Sequence, residues 1–335
     1  LSHFFICLGF AKLGFGHMTM AWANLVDILV CGVGYRMVLA ERLPLWPSFK
    51  GWRQVTRFGV GNVLPSLLQR VDAAIPDLAL GRQSTAADVG LFSRANSTVN
   101  LLGEAINPTI QYFALPYLAQ VYHSKGRIDQ EFLYATSVLN AIVFPALVAI
   151  AVLAPELVTF LFGEKWLPSA QAVPWLCVAF ALSSMFAVTT PAVTSIGKPS
   201  AATWPFIILV MAKVFFAFTL FDGTLERFAM SVALAQFVSL PLFLIVNKVY
   251  LRIPIVDWIR SAVPILVLGI ISYAASSGVR LLMPTGSGPF SVLVVCGAAT
   301  VISAVAAWFL LRMPIALELE RLPGVQRFLF WNRRS

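Results

Sequence analysis

Two stretches of this chain, Ser261–Val279 and Phe290–Leu311, run without a single charged side chain. A third, Phe206–Phe221, carries only Lys213. Runs of about 18 or more apolar residues are long enough to cross the hydrocarbon core of a bilayer as helices. In water they would need a polar cover that this chain does not have. Of its 335 residues 59% are apolar and 12% charged, against about 25% charged in an average soluble domain. A soluble enzyme, a disordered tail and a disulfide-stapled secreted module are therefore excluded. So is a closed barrel, because the runs lack two-residue alternation.

Dividing the chain at glycine, proline and charge clusters predicts ten spans. They are roughly 1–15, 18–39, 58–80, 88–118, 132–154, 169–193, 201–221, 228–247, 258–282 and 289–311. The connecting segments then fall into two alternating sets. One set is 40–57, 119–131, 194–200, 248–257 and the tail 312–335, with fourteen Lys and Arg; the other is 81–87, 155–168, 222–227 and 280–288, with four. Lys and Arg accumulate on the cytoplasmic side, so the first set, including the C-terminus, is expected there. This distribution also accounts for the net charge of +9 without invoking nucleic acid. His3 and Cys7 have helical i,i+4 spacing, but two ligands do not make a metal site, and no metal or other cofactor is expected.

The segment 40–57 admits two readings. Trp46, Phe49, Trp52 and Val55 recur every three residues among Arg42, Lys50, Arg53 and Arg57. That pattern suits an amphipathic helix lying in the interface, or simply a basic loop. The tail 314–331 has a similar mix.

Few residues inside the spans can carry chemistry. In 88–118, Ser93, Asn96, Asn100, Glu104, Asn107 and Gln111 are spaced 3, 4, 4, 3 and 4, which is one face of a helix. A carboxylate at mid-membrane costs at least about 2.5–3.5 kcal/mol. The stripe therefore lines a water-filled cavity or hydrogen-bonds to neighbouring helices. In 58–80, Arg70 and Asp77 are seven apart and share a face if the helix is regular, while Asp72 points elsewhere. Pro65 and Pro76 each remove a backbone hydrogen bond. Broken helices with paired charges suit a transport site; a self-neutralising Arg–Asp pair is the alternative. Arg94 lies near the start of 88–118. Lys213 sits near the middle of its run, where snorkelling to an interface is hard. Arg and Lys facing one cavity would bind an anion such as a phosphate. Thr189, Thr190, Thr194 and Ser195 offer neutral hydrogen bonds, or satisfy the backbone around Pro191.

The sequence lacks a Walker motif, HExxH and GxSxG. Its one acidic and histidine grouping, His123 with Asp129 and Glu131, reads as a solvated loop. An enzyme is not expected.

A family resemblance rests on Gln69-Arg70-Val71-Asp72, Gly81-Arg82, Gly90-Leu91-Phe92-Ser93-Arg94-Ala95 and Phe113 to Pro116. It continues through Phe144-Pro145, Glu156-Leu157, Leu161 to Trp166 and Ile196-Gly197-Lys198-Pro199. The chain resembles the polysaccharide-transport branch of the oligosaccharide flippases, in the superfamily that also holds the MATE exporters and the lipid II flippase. Phe92 stands where the family usually has Tyr. Asp77 and Asp72 lie four and nine residues before Gly81, where the family sets its acid five before, so both stay candidates.

The resemblance implies an all-α polytopic membrane protein with two six-helix lobes, often followed by two extra helices. On it, residues 1–39 are the last two helices of an N-terminal lobe, 40–57 a cytoplasmic linker and 58–250 the C-terminal lobe. Residues 251–311 are then two additional helices and 312–335 a basic tail. The chain starts on Leu1, and four preceding helices are expected to be absent. The implied activity is alternating-access translocation of a lipid-linked oligosaccharide, typically on undecaprenyl diphosphate, across the bacterial inner membrane. The implied partners are that substrate, membrane lipids, a coupling proton or sodium ion, and a polysaccharide polymerase. Arg70, Arg94 and Lys213 are the candidates for the anionic headgroup. Asn96, Asn100, Asn107 and Gln111 are those for sugar hydroxyls, and Asp72, Asp77 and Glu104 those for ion coupling. A drug or cation antiporter of the same superfamily and a polytopic enzyme of polysaccharide assembly are the rivals.

Overall fold

A computed structural model describes residues 6–10, 14, 16–38, 52–284, 288–311 and 313–315, and every regular element among them is helical. The chain forms two units, Leu1–Gln54 and Val55–Ser335. In the first, the apolar helix α1 spans Thr19–Val38. The remainder of the sequence reading for 1–15, 40–51 and the tail beyond 315 falls largely outside the described residues.

The helix α2 (Trp52–Gln83) runs through both Pro65 and Pro76 without a break and takes in the last residues of the expected linker. Next come α3 (Ala86–Thr109), a π-helical turn at Ile110–Ala114 and α4 (Leu115–Lys125), continuous in sequence. Asp88 starts α3, accepting hydrogen bonds from the Ser84 and Thr85 hydroxyls and from the Thr85 amide. Gly126, at φ 71°, ends α4 by donating its N–H to the Tyr122 carbonyl. Only a residue tolerant of the left-handed region stops a helix this way at little cost.

The helices α5 (Asp129–Val152) and α6 (Ala154–Phe162) follow. The expected span 169–193 is broken in two, as α7 (Val173–Ser184) and α8 (Thr189–Ser195). Then come α9 (Thr203–Thr219), α10 (Leu225–Tyr250), α11 (Ile255–Leu282) and α12 (Pro289–Leu310). Among the described residues, six helical stretches have the length and apolarity to span a membrane: α5, Val173–Ser195, Pro199–Thr219, α10, α11 and α12. The helices α2 and α3 cover two further expected spans but are too polar to meet the same measure. The chain is thus an all-α, multi-pass membrane protein; ten is the expectation, and six stretches meet both criteria.

Within the second unit, α5 packs against α7 on one side and α11 on the other. One core gathers Phe132, Phe144, Phe186, Trp258, Ile265 and Leu268; another gathers Leu80, Phe92, Val143, Leu176 and Phe228. Buried polar groups join α5 to α7. The Ser184 hydroxyl donates to Asn140 Oδ1 at 2.7 Å, and Asn140 Nδ2 donates to the Ser184 carbonyl at 3.4 Å as well as to the Thr136 carbonyl of its own helix at 2.8 Å. Such bonds, and small residues that let backbones approach, hold helices together where lipid removes the hydrophobic drive. At Gly269 an added Cβ would lie 3.3 Å from the Phe144 ring.

Pro145 has a further effect. A proline inside a helix cannot donate to the carbonyl four residues back, here Ala141. Trp308 of α12 supplies the missing donor, its indole Nε1–H reaching the Ala141 carbonyl at 3.0 Å. This meets the requirement that backbone groups at membrane depth be satisfied.

Candidate functional site in the helical lobe

Pro76 repeats the device at the site. It leaves the Asp72 carbonyl without a helical donor, and Lys213 Nζ of α9 lies 3.3 Å from that oxygen. The same ammonium forms an ion pair with Asp72 Oδ1 at 2.5 Å. Lys213 is only 5% exposed. Burying an ammonium is costly unless it is paired and hydrogen-bonded, and Asp72 supplies both carboxylate and carbonyl. The pair borders a cavity of about 190 Å³ that Asn96, Asn100, Ser183 and Gln236 also line.

The structure therefore brings together four of the residues singled out in the sequence: Asp72, Lys213, Asn96 and Asn100. Arg70 and Asp77 occupy a different face of α2, where both are exposed. Neither forms an ion pair among the described residues, so the self-neutralising Arg70–Asp77 pair is not made. Glu104 is exposed on α3. The Asn107 and Gln111 side chains lie outside the described residues. Arg94 does not line the cavity; its guanidinium lies 5.3 Å from the ring centroids of both Phe162 and Trp166, a cation–π arrangement. The three expected cations therefore do not meet in one cavity.

Gln236 and Ser183 were not among the expected residues. Gln236 is an amide inside an apolar span, so the criterion that picked out Lys213 would have found it. The lysine's partner was less accessible, because the pairing depends on how α2 crosses α9. At the α4–α5 connection, Glu131 binds Lys125 at 2.6 Å and Asp129 binds Arg127 at 2.5 Å. The hydrogen bond to Glu131 holds the Lys125 ammonium above its ordinary pKa. Both carboxylates near His123 are thus engaged by basic residues of their own connection. Of the hydroxyls around Pro191, Thr194 and Ser195 bond to the carbonyls of Thr190 and Ala192; their donors serve the helix backbone.

A second, larger cavity of about 570 Å³ adjoins the first and shares Phe180, Ser183 and Gln236 with it.

The lobe is thus all-helical and multi-pass, with a buried ion pair beside an amide-lined cavity. The chain belongs to a family described as "Polysaccharide biosynthesis protein", whose sequence model matches residues 1–171. The teichuronic acid biosynthesis protein TuaB of Bacillus subtilis is 30% identical over 131 residues, 39% of this chain and 26% of that protein. The lipopolysaccharide biosynthesis protein WzxC of Escherichia coli is 27% identical over 129 residues, 38% of this chain and 26% of that protein. The amylovoran biosynthesis protein AmsL of Erwinia amylovora is 24% identical over 175 residues, 49% and 45% of the two chains. These matches thus span from about a quarter to under half of each relative's length. Among solved structures, the lipid II flippase MurJ in an inward closed conformation matches with a TM-score of 0.60 at 11% identity. The match covers 93% of this chain and 66% of that one, and it establishes a flippase-like fold.

Proposed function

We propose that this protein translocates a lipid-linked oligosaccharide, carried on a diphosphate, across the bacterial inner membrane for polysaccharide export. The observation that carries the reading is the Lys213–Asp72 pair. It places a buried cation beside Asn96, Asn100 and Gln236 in an otherwise apolar lobe. The exposed Arg70, Asp77 and Glu104 on α2 and α3 support it, because ionisable groups at membrane depth belong against a water-filled path rather than lipid. The family, the names of its relatives and the flippase-like fold point the same way.

On this reading Arg70, Arg94 and Lys213 serve the anionic headgroup during different parts of the cycle. Asn96, Asn100, Asn107 and Gln111 bind sugar hydroxyls. Asp72, Asp77 and Glu104 are the coupling carboxylates, for a proton or sodium ion. The C-terminus is cytoplasmic, and a polysaccharide polymerase takes up the product. The reaction is transport, with no covalent change to the substrate.

The test is export by a strain carrying the double substitution Arg70→Ala and Arg94→Ala. Polymer export is expected to stop while the protein stays at its normal level in the membrane; normal export would reject the site. In proteoliposomes the lipid-linked sugar should change leaflet and be recovered chemically intact. A modified product would favour an enzyme.

A further inference from the structure

The two cavities are parts of one cleft. Phe180, Ser183 and Gln236 line both, so they join where α7 faces α10. Charge is gathered at one end. Asp72 and Lys213 border the smaller cavity and neutralise each other, while the described lining of the larger cavity is uncharged.

The larger cavity is polar all the same. Gln69 on α2, Tyr112 on the π-helical turn and Thr190 on α8 line it, and none of these side chains has a hydrogen-bond partner among the described residues. Gln69 and Tyr112 are exposed. Gln236 Oε1 accepts weakly from the Ser239 hydroxyl at 3.4 Å, which leaves both amide protons for the cleft. The backbone adds an acceptor. Pro191 has no N–H for the carbonyl four residues back, that of Ala187, and Ala187 borders the cavity in the break between α7 and α8. At Pro76 and Pro145 the freed carbonyl is met by Lys213 and by Trp308. No described side chain does this at Ala187, so its donor comes from what fills the cleft, water or ligand.

Beside these groups lies an aromatic surface. Phe186 stacks on Phe243 with ring centroids 5.2 Å apart, and Phe206 meets Phe243 edge-on at 5.4 Å. Small-molecule sites are typically clefts of about 300–1,000 Å³ lined by aromatic and apolar groups with a few placed polar ones, and this cavity is about 570 Å³. Amides and hydroxyls both give and accept hydrogen bonds, as do the hydroxyls of a sugar. A pyranose carries those hydroxyls around its edge and C–H groups on its faces, which suits a lining of amides beside aromatic rings. A carboxylate is poorly served here. Taking one out of water without a cation is costly, and Lys213 is committed to Asp72 at 2.5 Å.

We infer that the larger cavity is the subsite for an uncharged pyranose of the lipid-linked sugar, and that Gln236, at the junction, is the side chain that selects it. The inference rests on the flippase reading and names the sugar class of the same cleft.

The experiment measures, by native mass spectrometry of the full chain, the affinity for three polyprenyl diphosphates. One is the bare carrier, one bears an N-acetylhexosamine and one bears a hexuronic acid. The N-acetylhexosamine is expected to tighten binding over the bare carrier by roughly tenfold, the scale of one or two neutral hydrogen bonds. The hexuronic acid should give no such gain. Gln236→Leu should bring the ratio between the N-acetylhexosamine and bare carriers down to about one, and Thr190→Val should lower it by less. A merely structural role for Gln236 would weaken all three carriers together and leave the ratio standing. If Gln236→Leu does not fold, Gln236→Asn, which withdraws the amide by one methylene, makes the same measurement. The subsite is overturned if the N-acetylhexosamine brings no gain, if the hexuronic acid binds as tightly, or if the ratio survives the Gln236 substitution. Failure of every carrier to bind overturns the flippase reading and the subsite together; binding that ignores the sugar overturns the subsite alone.

Discussion

The helices α2 and α3 and the helices α11 and α12 expose surface to very different surroundings. On α11 and α12 the exposed residues include Ile259, Val263, Ile270, Val301 and Ile302, with Ile270 at 68% and Ile302 at 69%; Arg260, near the start of α11, is exposed as well. On α2 and α3 exposed Val63 and Leu78 sit among exposed Arg70, Asp77, Ser93 and Glu104. Exposure alone would make these regions equivalent. Their chemistry separates them: between Arg260 and Arg280, and along α12, one exposes a largely apolar face suited to lipid, while the other exposes charged groups that lipid does not tolerate. The two regions also hold their ion pairs differently. In Lys213–Asp72 the lysine is nearly sealed and the aspartate is 20% exposed. Arg280–Glu156, which ties α11 to α6 at 2.8 Å, leaves the arginine side chain 38% exposed.

The largest effect expected is on the Lys213–Asp72 pair. Lys213→Ala removes the buried ammonium from a carboxylate that is 20% exposed to the cavity and should cost about 3 kcal/mol, the low end for breaking a buried pair, read as a lowered unfolding temperature in detergent. Adding Asp72→Ala should recover part of that loss. Strictly additive losses would show that the pair is not coupled. A smaller effect distinguishes the two surfaces. Ile302→Asp on the lipid-facing side should lower membrane-inserted protein, consistent with about 2.5–3.5 kcal/mol for an acid at helix centre. Ser93→Asp on α3 should leave the level unchanged. Equal losses at both positions would erase the distinction. The smallest is at the open pair, where Arg280→Ala should cost about 1 kcal/mol or less. A cost approaching that of Lys213→Ala would mean that exposure does not set the strength of these pairs.

Much of the fold was legible because lipid permits few solutions. The uncharged runs Ser261–Val279 and Phe290–Leu311 lie within α11 and nearly all of α12. The sequence also separated Asp72 from Arg70 and Asp77, because a seven-residue spacing shares a helix face and a two-residue spacing does not. It did not reveal the break between α7 and α8. The apolar residues there, Met185 to Val188, read as helix, and only Pro191 downstream marks a boundary. Nor did it reveal the stacking of Arg94 on Phe162 and Trp166, which depends on the short helix α6 and the turn after it. The lysine's partner was hidden for a similar reason: residues 72 and 213 meet only through tertiary packing. Pro76 was a usable sign, since it marks the one carbonyl in that turn that must look outside its own helix.

The bond from Trp308 to Ala141 places the lobe's assembly in time. The two residues are 167 positions apart. At about 5–20 residues per second, the indole is made roughly 10–30 s after the carbonyl it will satisfy. During that interval α5 has a proline-freed carbonyl and no α12 to donate to it. Closure of this part of the lobe therefore waits for the arrival of α12.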